Sequence, residues 1–319
     1  MTTMGADERI RVGTRASLLA RAQTEQVVDA IRERHPGVLF EPVVIKTAGD
    51  AGRVGPGAAS GKGFFTREIE EALLNGEVDL AVHSLKDLPV ESPAGLGIGA
   101  IPVRDDPRDA LVGISRARLC DPATASTIGT CSLRRAAQLR KLFPHCRVVP
   151  LRGNVDSRLR KVGEGSPEAA VVAAAGLNRL GRGGEASHVF DPGEMLPAPG
   201  QGALAVQVRA GDERMEGLVG GVGCPTTTAC VAAERAFMHG LGAGCRVPVA
   251  ALAEIVDGVM VLNGRVISLD GTRTVEGKRS GAAEGAKRLG EELAADLVDK
   301  GADEILRDAA SGERGDERI

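Results

Sequence analysis

Short apolar runs alternate with amphipathic stretches along this chain, and the two periods separate strands from helices. "IRVGT" (10–14) reads as a strand. Ser17 then caps a helix whose apolar positions are Leu18, Ala22, Val27, Val28 and Ile31, and "HPG" closes it. "EPVVIKT" (41–47) is the next strand, so strand, helix and strand at this spacing predict a parallel βαβ unit. The Gly-rich stretch "DAGRVGPGAASGKG" (50–63) reads as a loop, with lid and plain linker both open. A helix over 65–74 ends at Asn75-Gly76, and "VDLAVHS" (78–84) is a buried strand with "LKDLPV" hanging from its carboxyl end.

The texture changes near residue 105. "VRDDPRDALV" is charged and proline-interrupted and reads as a connection between lobes. Beyond it come the strand "STIGT" (126–130), the helix "SLRRAAQLRKLF", the strand "CRVVPLRG", a helix from Asn154 to about Val162, and the apolar run "AAVVAAAG". Two stretches align: "VGTRASLLARAQ" from Val12 and "IGTCSLRRAAQ" from Ile128 share Gly-Thr, Ser-Leu and Ala-Gln in order, each joining a strand to a helix. "LNGEVDLAVHS" and "GEGSPEAAVVAAAG" occupy similar later slots. This predicts two lobes of one α/β design, with helix N-termini at the carboxyl ends of strands facing a shared cleft. After "GQGALAVQVRAGDE" (200–213) a third region begins. "TTTACVAAERAFMHGL" predicts a helix capped by one of its threonines. Strands split by "DG" and "NG" turns follow (257–271), then two amphipathic helices (282–299 and 302–310) and a frayed tail, "SGERGDERI". That is a small α+β domain.

Composition narrows the function classes. Apolar residues make up 43% of the 319, aromatics only 2% with no Trp or Tyr, so the cores must be built from Ala, Val, Leu and Ile with six Phe. A net charge of −3 predicts neither nucleic-acid nor membrane affinity. The first thirty residues show no long apolar run and no segment reaches the ~20 apolar residues that span a bilayer, so a cytoplasmic protein is expected. No apolar helix face beyond core needs is visible, which favours a monomer. Of the cysteines, Cys120, Cys131, Cys146, Cys224 and Cys230 read as small, mostly buried hydrophobes. None of the six forms a CxxC pair and no His stands at zinc-ligand spacing, so no metal site is expected.

Three features carry chemistry. Arginines recur where strands end: Arg15 after "VGT", Arg134 and Arg135 in the first turn after "IGTCS", Arg152 after "VVPL", and Arg158 one turn past Asn154. An Arg in a first helical turn opposes the macrodipole and needs an anionic partner. A set of them suits a ligand with many carboxylates, the alternative for each being a solvated surface Arg. In "HSLKDLP", Asp87 beside Lys86 follows a buried strand, where a carboxylate transfers protons and stabilises a developing cation, or only forms a turn before Leu-Pro. His83 is a base or a packed core histidine. In "LGAGCRVPVA" Cys245 lies among glycines beside Arg246, which favours thiolate. With no obvious His held by Asn or Asp, it fits a cysteine that carries something covalently better than a hydrolytic nucleophile.

Together "HSLKDLP", "GTCSLRR", "LRGNVDSRL", "LPAPGQGALAV" and "AERAFMHGLGAGCRVPVA" resemble the porphobilinogen deaminase (hydroxymethylbilane synthase) family, from about residue 8 to 310. The resemblance implies an α/β fold with two periplasmic-binding-protein-like lobes (mixed, mainly parallel sheets) and a C-terminal α+β domain. The domains would be 7–103 with 203–222, 104–202, and 223–319, the last carrying the cofactor cysteine. It implies a transferase of tetrapyrrole biosynthesis that joins four porphobilinogen units, losing ammonia each time, into linear hydroxymethylbilane. The primer is a dipyrromethane bound by thioether to one cysteine, by motif match Cys245. Porphobilinogen carries two carboxylates, which the arginines answer. Loss of ammonia leaves an electrophilic azafulvene, and positive charge builds on pyrrole rings. By the match Asp87 is catalytic; Ser84, Lys86, Ser132, Arg134, Arg135 and Arg158 hold the primer; Arg15, Ser17, Arg152 and Gln201 meet the substrate; and Lys62 and Phe65 cover the site, which turns the Gly-rich loop into a lid.

The chain departs from the family pattern at Cys131, where Ser is common, and at Gly242, where an acidic residue often precedes the Gly-Cys pair. Two other readings compete: a cytoplasmic solute-binding module, which leaves Cys245 and the third domain idle, and a cysteine transferase for another anionic metabolite.

Overall fold

The computed structural model describes residues 9–47, 66–242 and 247–315, with side chains to residue 311. In chain order the elements are β1 (Arg9–Arg15), α1 (Leu18–Arg34), β2 (Leu39–Ile45), α2 (Arg67–Leu74), β3 (Leu80–Ser84) and β4 (Leu96–Ala100). Then come β5 (Asp109–Gly113), α3 (Arg116–Cys120), β6 (Thr127–Gly129), α4 (Leu133–Leu142), β7 (Arg147–Val149), α5 (Val155–Gly163), β8 (Ala169–Ala173), α6 (Ala174–Arg179) and β9 (Ala186–Val189). The last are β10 (Leu204–Arg209), α7 (Glu213–Gly220), α8 (Pro225–Gly240), β11 (Val249–Val256), β12 (Val259–Ile267), β13 (Thr274–Gly281), α9 (Ala286–Asp299) and α10 (Ala302–Gly315).

The described residues fall into two compact units, divided at Arg104/Asp105, Gly202/Ala203 and Thr228/Ala229. The first holds a five-stranded sheet ordered β2-β1-β3-β10-β4. Its β1 runs parallel to β2 and β3, and β10 antiparallel to β3 and β4. The second unit contains another five-stranded sheet, ordered β7-β6-β8-β5-β9, with the same pattern of directions. Strand for strand, β6 answers β1, β7 answers β2, β8 answers β3, β5 answers β10 and β9 answers β4. The repeat read from the two Gly-Thr motifs is therefore a repeat of topology, and both sheets are mixed and mainly parallel. Interior strands such as β3 and β8 are buried along nearly their whole length, which is why they read as unbroken apolar runs.

The second unit also holds the antiparallel sheet β11-β12-β13 with α8, α9 and α10 on its core, where Phe237, Leu262, Leu293 and Leu297 meet. The helix α4 docks on this sheet. Arg265 donates to Gln138 Oε1 at 2.9 Å, Arg140 to the Leu269 carbonyl at 2.5 Å, and Lys141 to Thr274 Oγ1 at 3.1 Å.

Four local expectations need correction. The stretch read as a connection, "VRDDPRDALV", ends in the strand β5, because the charge of Asp109 is neutralised inside the lobe. Leu18 is 59% exposed, and the buried stripe of α1 runs through Gln23 and Thr24 instead. Thr24 is tolerated there because its hydroxyl reaches the Ala20 carbonyl (3.0 Å) and Thr14 Oγ1 (2.8 Å). Asn263-Gly264 is not a turn but the middle of β12; a Cβ on Gly264 would stand 2.6 Å from the Phe237 ring, so the glycine makes room for that core side chain. The helix α8 starts at Pro225, before its threonines, with Thr228 N bonded to the Cys224 carbonyl. Asp257-Gly258 is a turn as read, with both residues at positive φ.

Candidate active site

In the first unit the carboxyl ends of β1 and β3 lie side by side, because the two strands pair in parallel. Arg15 closes β1, and Ser17 caps α1, its hydroxyl accepting from Ala20 N at 3.2 Å. Ser84 closes β3 and accepts from Gln23 Nε2 at 2.9 Å. A single 3₁₀ turn, Leu85–Asp87, then presents Lys86 and Asp87, both half-buried. The turn is held by backbone bonds from Leu85 N to the Ala203 carbonyl (3.0 Å) and from Leu88 N to the Leu85 carbonyl (3.1 Å). Leu85 and Leu88 anchor it in the lobe at 0% and 2% exposure. Alternation between those apolar anchors is what leaves Lys86 and Asp87 facing outward.

His83 resolves toward the core. It is buried on β3, on the sheet face that Glu70 of α2 and Gln207 of β10 also reach. Burial pushes its imidazole down to about 4, a hydrogen bond with Gln207 opposes this in part, and the charge of Arg15 adds to the push. A neutral, enclosed ring is a packing element, not a base. The linkage sign follows: the unfolded chain binds this proton below about pH 6.5 and the folded one only near pH 4. Stability from this site is present above pH 6.5 and drains away as pH falls toward 4, by about 3 kcal/mol in all. Urea unfolding from pH 7 to 4 is expected to show a shallower loss in His83→Asn than in wild type; equal slopes would disprove the assignment.

In the second unit the strand ends carry a different set. Ser132 caps α4, accepting from Arg135 N at 3.4 Å, and Asn154 caps α5, accepting from Ser157 N at 2.9 Å. Arg152 is exposed; Arg158 is half-buried and donates from Nε to the Gly153 carbonyl at 2.8 Å. Cys131 is an exposed free thiol just before the cap, and Cys120 is exposed too, so the expected burial of the cysteines holds only for Cys146 and Cys230, with Cys224 in between. Arg134 and Arg135 are not surface forks: they are 4% and 5% exposed and turn inward onto Asp109. Gln201 is wholly buried beside them, donating to the Pro107 carbonyl at 2.7 Å and to Asp109 Oδ1 at 2.9 Å. Burial alone would raise the Asp109 pKa; the two guanidiniums override it and hold the carboxyl well below the usual carboxylate range.

Lys62, Phe65 and Cys245 lie outside the described residues. The helix that leads toward Cys245 ends at Gly240, and Gly242 N bonds the His239 carbonyl at 2.8 Å with φ +62. That left-handed turn is where glycine is at ease and an acidic side chain would be strained, which gives the departure at Gly242 a local reason. Among the described residues there is no group of three or more His, Cys, Asp or Glu placed to hold a metal, and no helix long and apolar enough to cross a membrane.

Comparison with known proteins decides the family. Residues 10–217 match the family model "Porphobilinogen deaminase, dipyromethane cofactor binding domain", and residues 228–299 match "Porphobilinogen deaminase, C-terminal domain". The chain belongs to the porphobilinogen deaminase family. The porphobilinogen deaminase of Acidothermus cellulolyticus is 46% identical over 312 residues, covering 96% of this chain and 94% of that one. The Thermus thermophilus porphobilinogen deaminase is 47% identical over 296 residues, 92% and 97% of the two chains. Among solved structures, a TRAP periplasmic solute-binding protein from Desulfovibrio salexigens gives a TM-score of 0.41 at 10% identity, over 68% of this chain and 72% of that one.

The donor set fits the cofactor of a porphobilinogen deaminase. A dipyrromethane offers carboxylates and pyrrole N–H groups. Within the second unit two guanidiniums face one carboxylate, an excess of one positive charge suited to such a carboxylate. Within the first, taken by itself, Lys86 stands beside Asp87, a carboxylate able to accept from a pyrrole N–H. Two buried residues that hold these groups of the second unit in place have no plain signature in the sequence. Asp109 was hidden inside an apparent linker, although two first-turn arginines lacking a visible acid were a signal for it. Glu234, at 0% exposure, accepts from Gly200 N (2.6 Å) and Ala253 N (2.8 Å), pinning the loop that carries Gln201 to β11.

Proposed function

We propose that this porphobilinogen deaminase makes hydroxymethylbilane by stepwise deaminating condensation of four porphobilinogen units, with Cys245 as the point of cofactor attachment and Asp87 as the catalytic residue. The observation that carries the activity is the match to both family models across nearly the whole chain. When bound, the dipyrromethane supplies a free pyrrole carbon as the nucleophile for the first condensation.

The remaining chemistry belongs to the chain. Asp87, presented on a turn fixed by buried leucines, stands ready to accept a hydrogen bond from a pyrrole N–H and to stabilise the cation left when ammonia departs. The same carboxylate, at a half-exposed position, exchanges protons with the reacting ring. Ser84 and Ser132 accept hydrogen bonds through their lone pairs, which leaves each hydroxyl a proton to donate to a primer carboxylate. Lys86 and Arg158 complete that grip, while Arg134 and Arg135 contribute the buried excess of charge. Arg15, Ser17 and Arg152 meet the incoming porphobilinogen, whereas Gln201, placed with them by the resemblance, is enclosed with its amide committed to Pro107, Asp109 and Arg135 and acts only by orienting those groups. Lys62 and Phe65 belong to the lid.

Three functional domains, 7–103 with 203–222, 104–202 and 223–319, are part of the proposal, supported by three separate sheets with their own cores. So is a monomer working in the cytoplasm, where the free thiols Cys120, Cys131, Cys146, Cys224 and Cys230 suit a reducing compartment. Purified chain given porphobilinogen is expected to release ammonia in step with substrate consumed and to yield a linear tetrapyrrole. Binding without ammonia release would instead favour the solute-binding module.

A further inference from the structure

Asp109 opens β5 with its side chain fully enclosed, and its two oxygens collect donors from three residues. Oδ2 accepts from Arg134 Nη1 at 2.6 Å. Oδ1 accepts from Arg135 Nε at 2.9 Å, Arg135 Nη2 at 2.8 Å and Gln201 Nε2 at 2.9 Å. The arginines spend further N–H groups on the carbonyls of Leu196 (2.9 Å) and Val171 (3.1 Å), and Gln201 Oε1 accepts from Arg135 Nη2 at 3.3 Å. Gln201 itself is anchored, because the neighbouring Gly200 N is bonded to buried Glu234. Both guanidiniums are thus fixed in direction from below.

The charge count does not close. Two guanidiniums face one carboxylate, all at least nine-tenths buried, so the cluster keeps one net positive charge. A cluster serving stability alone would be neutral or apolar, since burying a net charge costs free energy with no return. Removing Asp109 would leave two like charges side by side with nothing to orient them. We propose that Asp109 is a positioning residue for the reaction: it sets the direction of Arg134 and Arg135 and trims their charge to the single unit that receives one carboxylate of the primer. The inference rests on the reading of Cys245 as the primer's attachment point.

The test uses full-length Asp109→Asn, which keeps shape and removes charge, and Asp109→Glu, which keeps charge and moves it. Intact mass gives the fraction of chains carrying the two-pyrrole adduct, steady-state assays give kcat and KM, and thermal unfolding reports the fold. In Asp109→Asn the adduct-bearing fraction is expected to fall at least about tenfold, and in Asp109→Glu kcat to fall about tenfold with KM within about threefold. Asp109→Asn with wild-type adduct and wild-type kcat, its melting temperature alone reduced, overturns the proposal. Should Asp109→Asn not fold, Asp109→Glu decides: folded protein with wild-type kcat overturns it equally. Failure of the primer reading itself shows separately, as wild-type chain that turns over porphobilinogen without any adduct.

Discussion

Replacing Cys245 by serine is expected to abolish turnover and to remove a mass equal to two linked pyrroles from the purified chain. A thioether requires a thiolate to attack carbon, and a serine hydroxyl at neutral pH offers almost no alkoxide to do the same. Without the tether, each new ring has nothing to be added to, so the loss is all or nothing rather than graded. The variant should fold like wild type, because α8 is already closed at Gly242 by a glycine turn that does not use the cysteine. Intact-protein mass spectrometry separates the competing ideas directly. A fully active wild type carrying no adduct would sink the tether assignment, whereas an unmodified, inactive one that binds polycarboxylates would indicate a binding module.

Substitution of Asp87 by alanine is the second large effect. Stabilising a developing charge at one positioned group is worth about 3–4 kcal/mol, and proton transfer by the same group adds about 10²–10⁴-fold in rate. A drop in kcat of at least about 10³-fold is therefore expected, with thermal stability little changed. The fold should survive because the bonds holding the turn run through the backbone of Leu85 and Leu88 and not through the carboxylate. Asp87→Glu, which restores charge at a slightly different place, should recover part of the rate. Near-normal turnover in Asp87→Ala would reduce Asp87 to a turn former.

Much of this was readable in the residues because local rules and tertiary structure agreed. Ser17, Ser132 and Asn154 cap the helices they precede, and the paired Gly-Thr motifs mark equivalent strand ends in two sheets of one topology. Asp87 stood out because a charged pair follows a strand buried on both faces. What stayed hidden depended on partners far away in sequence. Asp109 reads as linker until Arg134 and Arg135 are folded against it, 25 and 26 residues on. Gly264 reads as a turn until Phe237 is seen to need its space. His83 is equally ambiguous in sequence, since only its enclosure decides between base and core.

The order of strands in the first sheet has a consequence for the birth of the protein. Its fourth strand, β10, is Leu204–Arg209 and lies between β3 and β4, so β4 has no neighbour in the sheet until β10 arrives. On the ribosome, residues 105–202 with their own five-stranded sheet are synthesised in one stretch before β10 is made. The nascent first lobe must wait, with an open sheet edge, while the second is completed. An amino-terminal domain is thereby finished later than the domain that follows it, against the usual order of folding during synthesis. The edge it exposes in the meantime is the kind of surface that chaperones exist to cover.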